Sequence, residues 1–171
     1  MGSDRIQLEE DLLEKMITYF GDDARRICHA RKVLKYAKEL RENEGGNENV
    51  IVAAAILHDI GIKECERKYH SSGGQLQEKE GPPIARKILE VLEVGSEIID
   101  EICGIIGSHH SPGEVDSLNF QIIWDADWLV NLRDEYKMSN RNKLEKIIEK
   151  IFMTRSGKML AKEVYLRDEK R

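Results

Sequence analysis

Eight apolar residues, Val50 to Leu57, run straight into His58 and Asp59. Burying an imidazole and a carboxylate at the end of such a segment is costly unless a partner compensates them. Other residues meet the same condition. His29 lies at the edge of the apolar stripe Ile27, Ala30, Val33, Leu34, Ala37 and Leu40. The tract Ile122 to Val130 holds two acids that helical spacing separates. Asp127 has Ile123 four residues before it and Val130 three after, in the middle of an apolar face. Asp125 sits among Gln121, Ile122 and Leu129, a mixed setting nearer the edge. His109 falls on the stripe Ile98, Ile102, Ile105 and Ile106, with His110 more peripheral. No lysine or arginine shares the stripe of Asp127, so its charge needs a partner from elsewhere in the chain. One divalent cation would compensate these groups together. Neutral imidazoles and carboxylates suit Mn²⁺, Fe²⁺, Co²⁺, Ni²⁺ or Zn²⁺, and a set without thiolate disfavours a structural zinc. A buried network in which Asp127 accepts from His29 or His58 would compensate them too, and spacing alone leaves both open.

Positioning these residues falls to helices. Apolar residues recur at helical spacing along nearly the whole chain and no alternating strand pattern competes, so the expected class is all-α, a single-domain helical bundle. The spacing predicts helices over 5–20, 23–44, 50–60, 82–93, 96 to about 109, 118–133, 140–153 and 157–170. Gly21-Asp22, Asn47 or Asn49, and Ser139 supply the boundaries and caps, and Pro82-Pro83 opens its helix. Residues 62–80 read as a long polar loop around Ser71-Ser72-Gly73-Gly74. The motif-bearing region is about 20–135, and helices within 140–171 are accessory.

A chain of 171 residues buries a sufficient core without disulfides or a structural metal, so a metal here would serve chemistry rather than folding. Net charge is −5, with 27 basic and 32 acidic residues interspersed, which argues against an extended nucleic-acid surface. Cys28, Cys65 and Cys103 form no CxxC pattern and read as reduced thiols. The apolar run is too short to span a bilayer, and the start lacks a signal peptide and, with Ile6 where Ser or Thr is needed, a myristoylation pattern. The expectation is a cytoplasmic protein without membrane contact. Leu160, Val164 and Leu166 in the last helix could face their own domain or a second subunit, so a homodimer is open.

His29, then His58-Asp59 closing Ala54-Ala55-Ile56-Leu57-His58-Asp59-Ile60-Gly61, then Asp127 before Trp128-Leu129, resembles the H…HD…D signature of the HD superfamily of metal-dependent phosphohydrolases. The resemblance covers roughly residues 20–135. It implies a helical bundle with one or two divalent metals, hydrolysis of phosphomonoesters, nucleotides or cyclic nucleotides, and His29, His58, Asp59 and Asp127 as ligands. The sequence departs from the pattern in places. His109-His110 matches a histidine pair that helps hold a second metal in members resembling the cyclic-dinucleotide phosphodiesterases, but Gln77 stands roughly where those members have a further histidine. One metal is therefore expected, Mn or Fe favoured, with His109 and His110 left to contact substrate or an optional second ion. Lys63 stands one place later than the lysine that often follows the dyad. Ile62 stands where nucleotidase-like members have a glutamate, a role left to Glu64.

On this reading the metal activates a water and offsets charge developing on phosphorus. Asp59, beside His58, also accepts a proton from that water. Cationic clamps for phosphate come from Lys63, Arg67, Lys68 and His70, with Arg86 in the following helix. The expected substrate is a small phosphorylated metabolite, a nucleotide first. The alternatives are a module that binds metal and nucleotide without turnover, and a di-iron oxygenase of the same superfamily. Trp124 and Trp128 read as core at helical spacing.

Overall fold

The computed structural model describes residues 2–113, 115–137 and 140–167. These form nine helices: α1 (Gly2–Phe20), α2 (Ala24–Glu44), α3 (Glu48–Leu57), α4 (Ile62–Tyr69), α5 (Gly74–Val91), α6 (Ser96–Ile106), α7 (Leu118–Glu135), α8 (Arg141–Ile151) and α9 (Arg155–Leu166). No strand occurs among the described residues. No helix among them is long and apolar enough to cross a membrane.

Helix α3 is the buried axis. Every residue from Val50 to Leu57 is 5% exposed or less, and the helix packs on α1, α2, α6 and α7. Ala53, Ala54 and Ala55 let neighbouring backbones approach, while each of the larger side chains contributes about 1.5–3 kcal/mol through burial. Asn47 caps the start, accepting from Asn49 N at 3.1 Å and Val50 N at 3.3 Å. The helix stops at Leu57, so His58 and Asp59 lie in the turn that follows. Gly61 completes that turn. A Cβ there would lie 2.8 Å from both Gln77 O and Gly81 N, so the missing side chain allows α5 to cross at backbone contact.

Several expected boundaries are corrected. Residues 62–80 are no loop: they hold α4 and the start of α5. Ile62 and Cys65 bury one face of α4, and Glu64 pairs with Arg67 at 2.7 Å and Lys68 at 3.1 Å, a helix too short for its periodicity to stand out. Pro82 and Pro83 lie inside α5 rather than at its first turn. Their missing amides leave the carbonyls of Glu78 and Lys79 without helical donors. Helix α6 ends at Ile106, which puts His109 and His110 on the succeeding turn. Asp23 caps α2, accepting from Arg26 N at 3.1 Å. Ser139 and the side chain of Ile6 lie outside the described residues. The cap of α8 is Asn140, which accepts from Lys143 N at 3.0 Å.

Candidate metal centre

Three elements deliver four side chains to one point: α2 brings His29, the turn after α3 brings His58 and Asp59, and α7 brings Asp127. His29 Nε2 lies 3.2 Å from His58 Nε2, 3.0 Å from Asp127 Oδ1 and 3.5 Å from Asp59 Oδ2. His58 Nε2 lies 3.5 Å from Asp59 Oδ2 and 3.6 Å from Asp127 Oδ1. A second cluster adjoins the first. His109 Nε2 is 3.5 Å from Asp59 Oδ1, and the His110 ring lies tilted beside that of His109 with centroids 3.9 Å apart. Ligand atoms of His29, His58 and Asp59 lie within 4.8 Å of one another, and so do those of Asp59, His109 and His110.

Both buried imidazoles are aimed from behind. His58 Nδ1 donates to Ala55 O at 2.9 Å and His109 Nδ1 to Ile106 O at 2.7 Å, in each case the carbonyl three residues back. A neutral ring held this way carries its lone pair on Nε2, the atom turned toward the carboxylates. His109 Nε2 is buried and has no hydrogen-bond partner. The electrostatics favour positive charge here. Burial pulls the His58 imidazole down, but Asp59 and Asp127 outweigh it and raise it to about 9. Burial pushes Asp59 up, and the neighbouring His58 above all reverses this to about 2. Burial likewise raises Asp127, and the hydrogen bonds from His29 and His58 hold it far below the usual carboxylate range.

Supporting residues surround the cluster. Asn131 Nδ2 donates to Asp127 Oδ1 at 2.8 Å, which fixes that carboxylate, and its position one turn after Asp127 was a signal that sequence reading overlooked. Glu78 accepts from His110 N and Ser111 Oγ, both at 2.9 Å, and so ties the turn bearing His109 to α5. Gln77 Oε1 lies 3.3 Å from His110 Nε2 while its amide donates to Ser72 O at 2.7 Å. Asp125 is not at an edge. It is 0% exposed, and its carboxylate accepts from Met153 N at 2.8 Å, Thr154 N at 2.8 Å and Thr154 Oγ1 at 2.7 Å, so it anchors the start of α9 instead of assisting Asp127. Trp124 packs against the core and donates from Nε1 to Ile151 O at 2.9 Å.

Above the cluster opens a cavity of about 1010 Å³ lined by His29, Asp59 and Asp127. The expected phosphate clamps do not line it. Lys63 donates to Tyr19 O at 2.7 Å, Arg67 chelates Glu64 at 2.7 and 2.8 Å, Lys68 meets Glu80 at 2.7 Å and Arg86 meets Asp100 at 2.6 Å. His70 is an exposed, left-handed cap of α4. The cavity's cations come from α2 and α7: Arg25, Arg26, Lys32, Lys35 and Arg133. Arg26 is neutralised by Asp23 and Glu66, both at 2.5 Å. The other four have no hydrogen-bond or ion-pair partner among the described residues. Arg25 lies four residues before His29 and Lys32 three after, on its face of the helix, a spacing that sequence reading could have used.

The sequence profile of the HD domain matches residues 26–132. No curated protein matches the chain. Among solved structures, a predicted HD superfamily hydrolase from an uncultured Thermotogales bacterium is 23% identical with TM-score 0.70, over 92% of this chain and 84% of the other. An HD-superfamily hydrolase from Bacillus thuringiensis is 22% identical with TM-score 0.65, over 94% and 90%. A Listeria innocua protein is 21% identical with TM-score 0.61, over 95% and 91%. At these identities the likeness is one of fold.

Proposed function

Because the chain belongs to the HD domain family, we propose that it is a metal-dependent phosphohydrolase that removes phosphate from a small phosphorylated metabolite. The reading rests above all on His109. A self-contained hydrogen-bond network would leave no buried imidazole nitrogen orphaned, yet His109 Nε2 has no hydrogen-bond partner and faces Asp59 Oδ1 at 3.5 Å. A lone pair aimed at a carboxylate is what a cation between them would stabilise. The donors are imidazoles and carboxylates without thiolate, a set that fits Mn²⁺ or Fe²⁺.

His29, His58, Asp59 and Asp127 would hold the principal ion, and a second would draw on Asp59 with His109 and His110. When bound, the metal lowers the pKa of a coordinated water and offsets charge on phosphorus. The chain's own residues do the rest. Asp59 has one oxygen toward His29 and His58 and the other toward His109, and it would take the proton of the attacking water. Arg25 and Lys32, one turn either side of His29, would bind the non-bridging phosphate oxygens.

Metal content and turnover of p-nitrophenyl phosphate, measured on tag-free wild type and on Asp127→Asn, test the reading. The wild type should hold one or two Mn or Fe ions per chain and hydrolyse the ester, and a folded Asp127→Asn should lose both. A wild type that stays empty after incubation with Mn²⁺ and Fe²⁺ overturns it.

A further inference from the structure

His58 and His109 turn the same way: Nδ1 of each donates to a backbone carbonyl, which leaves the lone pair on Nε2. For His110 the deciding partner is Gln77. This residue ends the first turn of α5 and is only 6% exposed. Its backbone is fixed on two sides, with its N donating to Gly73 O at 3.1 Å and its carbonyl lying against Gly61. Its side-chain amide has one permitted orientation. Ser72 O can only accept, so the atom facing it at 2.7 Å is Gln77 Nε2. That leaves Oε1 toward His110 Nε2 at 3.3 Å, and Oε1 too can only accept. His110 Nε2 therefore carries the hydrogen, and the neutral ring has its lone pair on Nδ1, the reverse of His58 and His109. The His110 ring is held in place as well. Its backbone N donates to Glu78 Oε1 at 2.9 Å, and it lies so close to α5 that a Cβ on Gly74 would come within 2.8 Å of its Cγ.

We propose that Gln77 is a positioning residue that holds His110 as the Nε2-protonated tautomer and so withholds that nitrogen from a second cation beside Asp59 and His109. His109 Nε2 has no hydrogen-bond partner and is ready to ligate, whereas His110 Nε2 must first give up Gln77. The two cation positions are therefore unequal: the one at His29, His58, Asp59 and Asp127 binds tightly and the one at Asp59 and His109 weakly. The cation positions themselves rest on the metal-dependent reading above, and the tautomer of His110 does not.

Nitrogen NMR of the imidazoles, on the full-length protein in chelator at about pH 8, reads the tautomer without metal or substrate. His110 should carry its proton on Nε2, in an N–H that exchanges slowly with solvent. Gln77→Leu should abolish that slow exchange, and Gln77→Glu, which keeps an acceptor opposite the ring, should retain it. Calorimetric titration with Mn²⁺ should give one tight and one weak ion in the wild type. Gln77→Leu should tighten the weak ion about two- to tenfold, the worth of the hydrogen bond no longer broken, and leave the tight ion unchanged. A merely structural role for Gln77 would move both ions or neither. A wild-type His110 protonated on Nδ1, or a second ion whose affinity or absence is the same in Gln77→Leu, overturns the proposal. If the wild type takes up no Mn²⁺, the metal-dependent reading falls and the NMR decides alone: loss of the slow His110 N–H in Gln77→Leu sustains the role of Gln77, and its survival there overturns it. Should Gln77→Leu not fold, Gln77→Met, closer in shape to the native side chain, serves for both comparisons.

Discussion

Asp59 offers one oxygen to each of two imidazole clusters, and its orientation is therefore fixed from both sides. Asp127 is fixed instead by Asn131. Removing that amide in Asn131→Ala should weaken Mn²⁺ binding about 10–100-fold with the fold unchanged, as titration with a competing chelator would measure. Protonation should act in the opposite sense to metal. With His58 raised from 6.5 to about 9, the stabilisation from its charged pairing with Asp59 and Asp127 is full below pH 6.5 and is lost as pH climbs through about 9. A metal requires the neutral ring and competes with that proton, so its affinity rises over the same range. Melting curves in chelator should show Tm falling from pH 6.5 to 9, while the increment added by Mn²⁺ widens. An increment flat across that range would mean that His58 carries no proton there.

At the scale of elements, Asp125 joins α7 to the start of α9, and a Cβ at Gly157 would lie 2.1 Å from its Oδ2. Asp125→Ala would strand the buried Thr154 amide and hydroxyl and the part-buried Met153 amide, at a cost on the order of 3 kcal/mol. Gly157→Ala should undo the same contact while keeping the charge, and denaturant unfolding would place both variants well below wild type. The periodicity of α7 could not reveal this role, because the partners lie 28 and 29 residues further along the chain. The helical class and the convergence of His29, His58, Asp59 and Asp127 were legible, since each sits on or at the end of an apolar face. The cavity's cations were not. Charged residues abound, and only the fold separates Lys63, bonded to Tyr19 O, from Lys32, which has no partner among the described residues. Helix α4 was missed because it is too short for its periodicity to stand out, and the start of α5 because glycine and proline read as breaks, whereas here glycines permit close crossing and the prolines sit within the helix.

For the molecule as a whole, the ligands come from segments separated by up to 98 residues, 29 to 127, so an ion at the centre joins α2, α3 and α7 into one unit. A metal at a hundred times its Kd should stabilise the native state by about 2.7 kcal/mol, seen as a rise in Tm that chelator reverses. The tandem prolines of α5 have a dynamic consequence. Two absent amide bonds in succession divide this helix into a segment 74–81 and a segment 82–91 that need not open together. The first carries Gln77 and Glu78, which hold the turn of His109 and His110. Amide hydrogen exchange should therefore show the first segment losing protection ahead of the second, and the metal slowing it. The breathing of half a helix would then loosen the turn of His109 and His110 while the rest of the bundle stays packed.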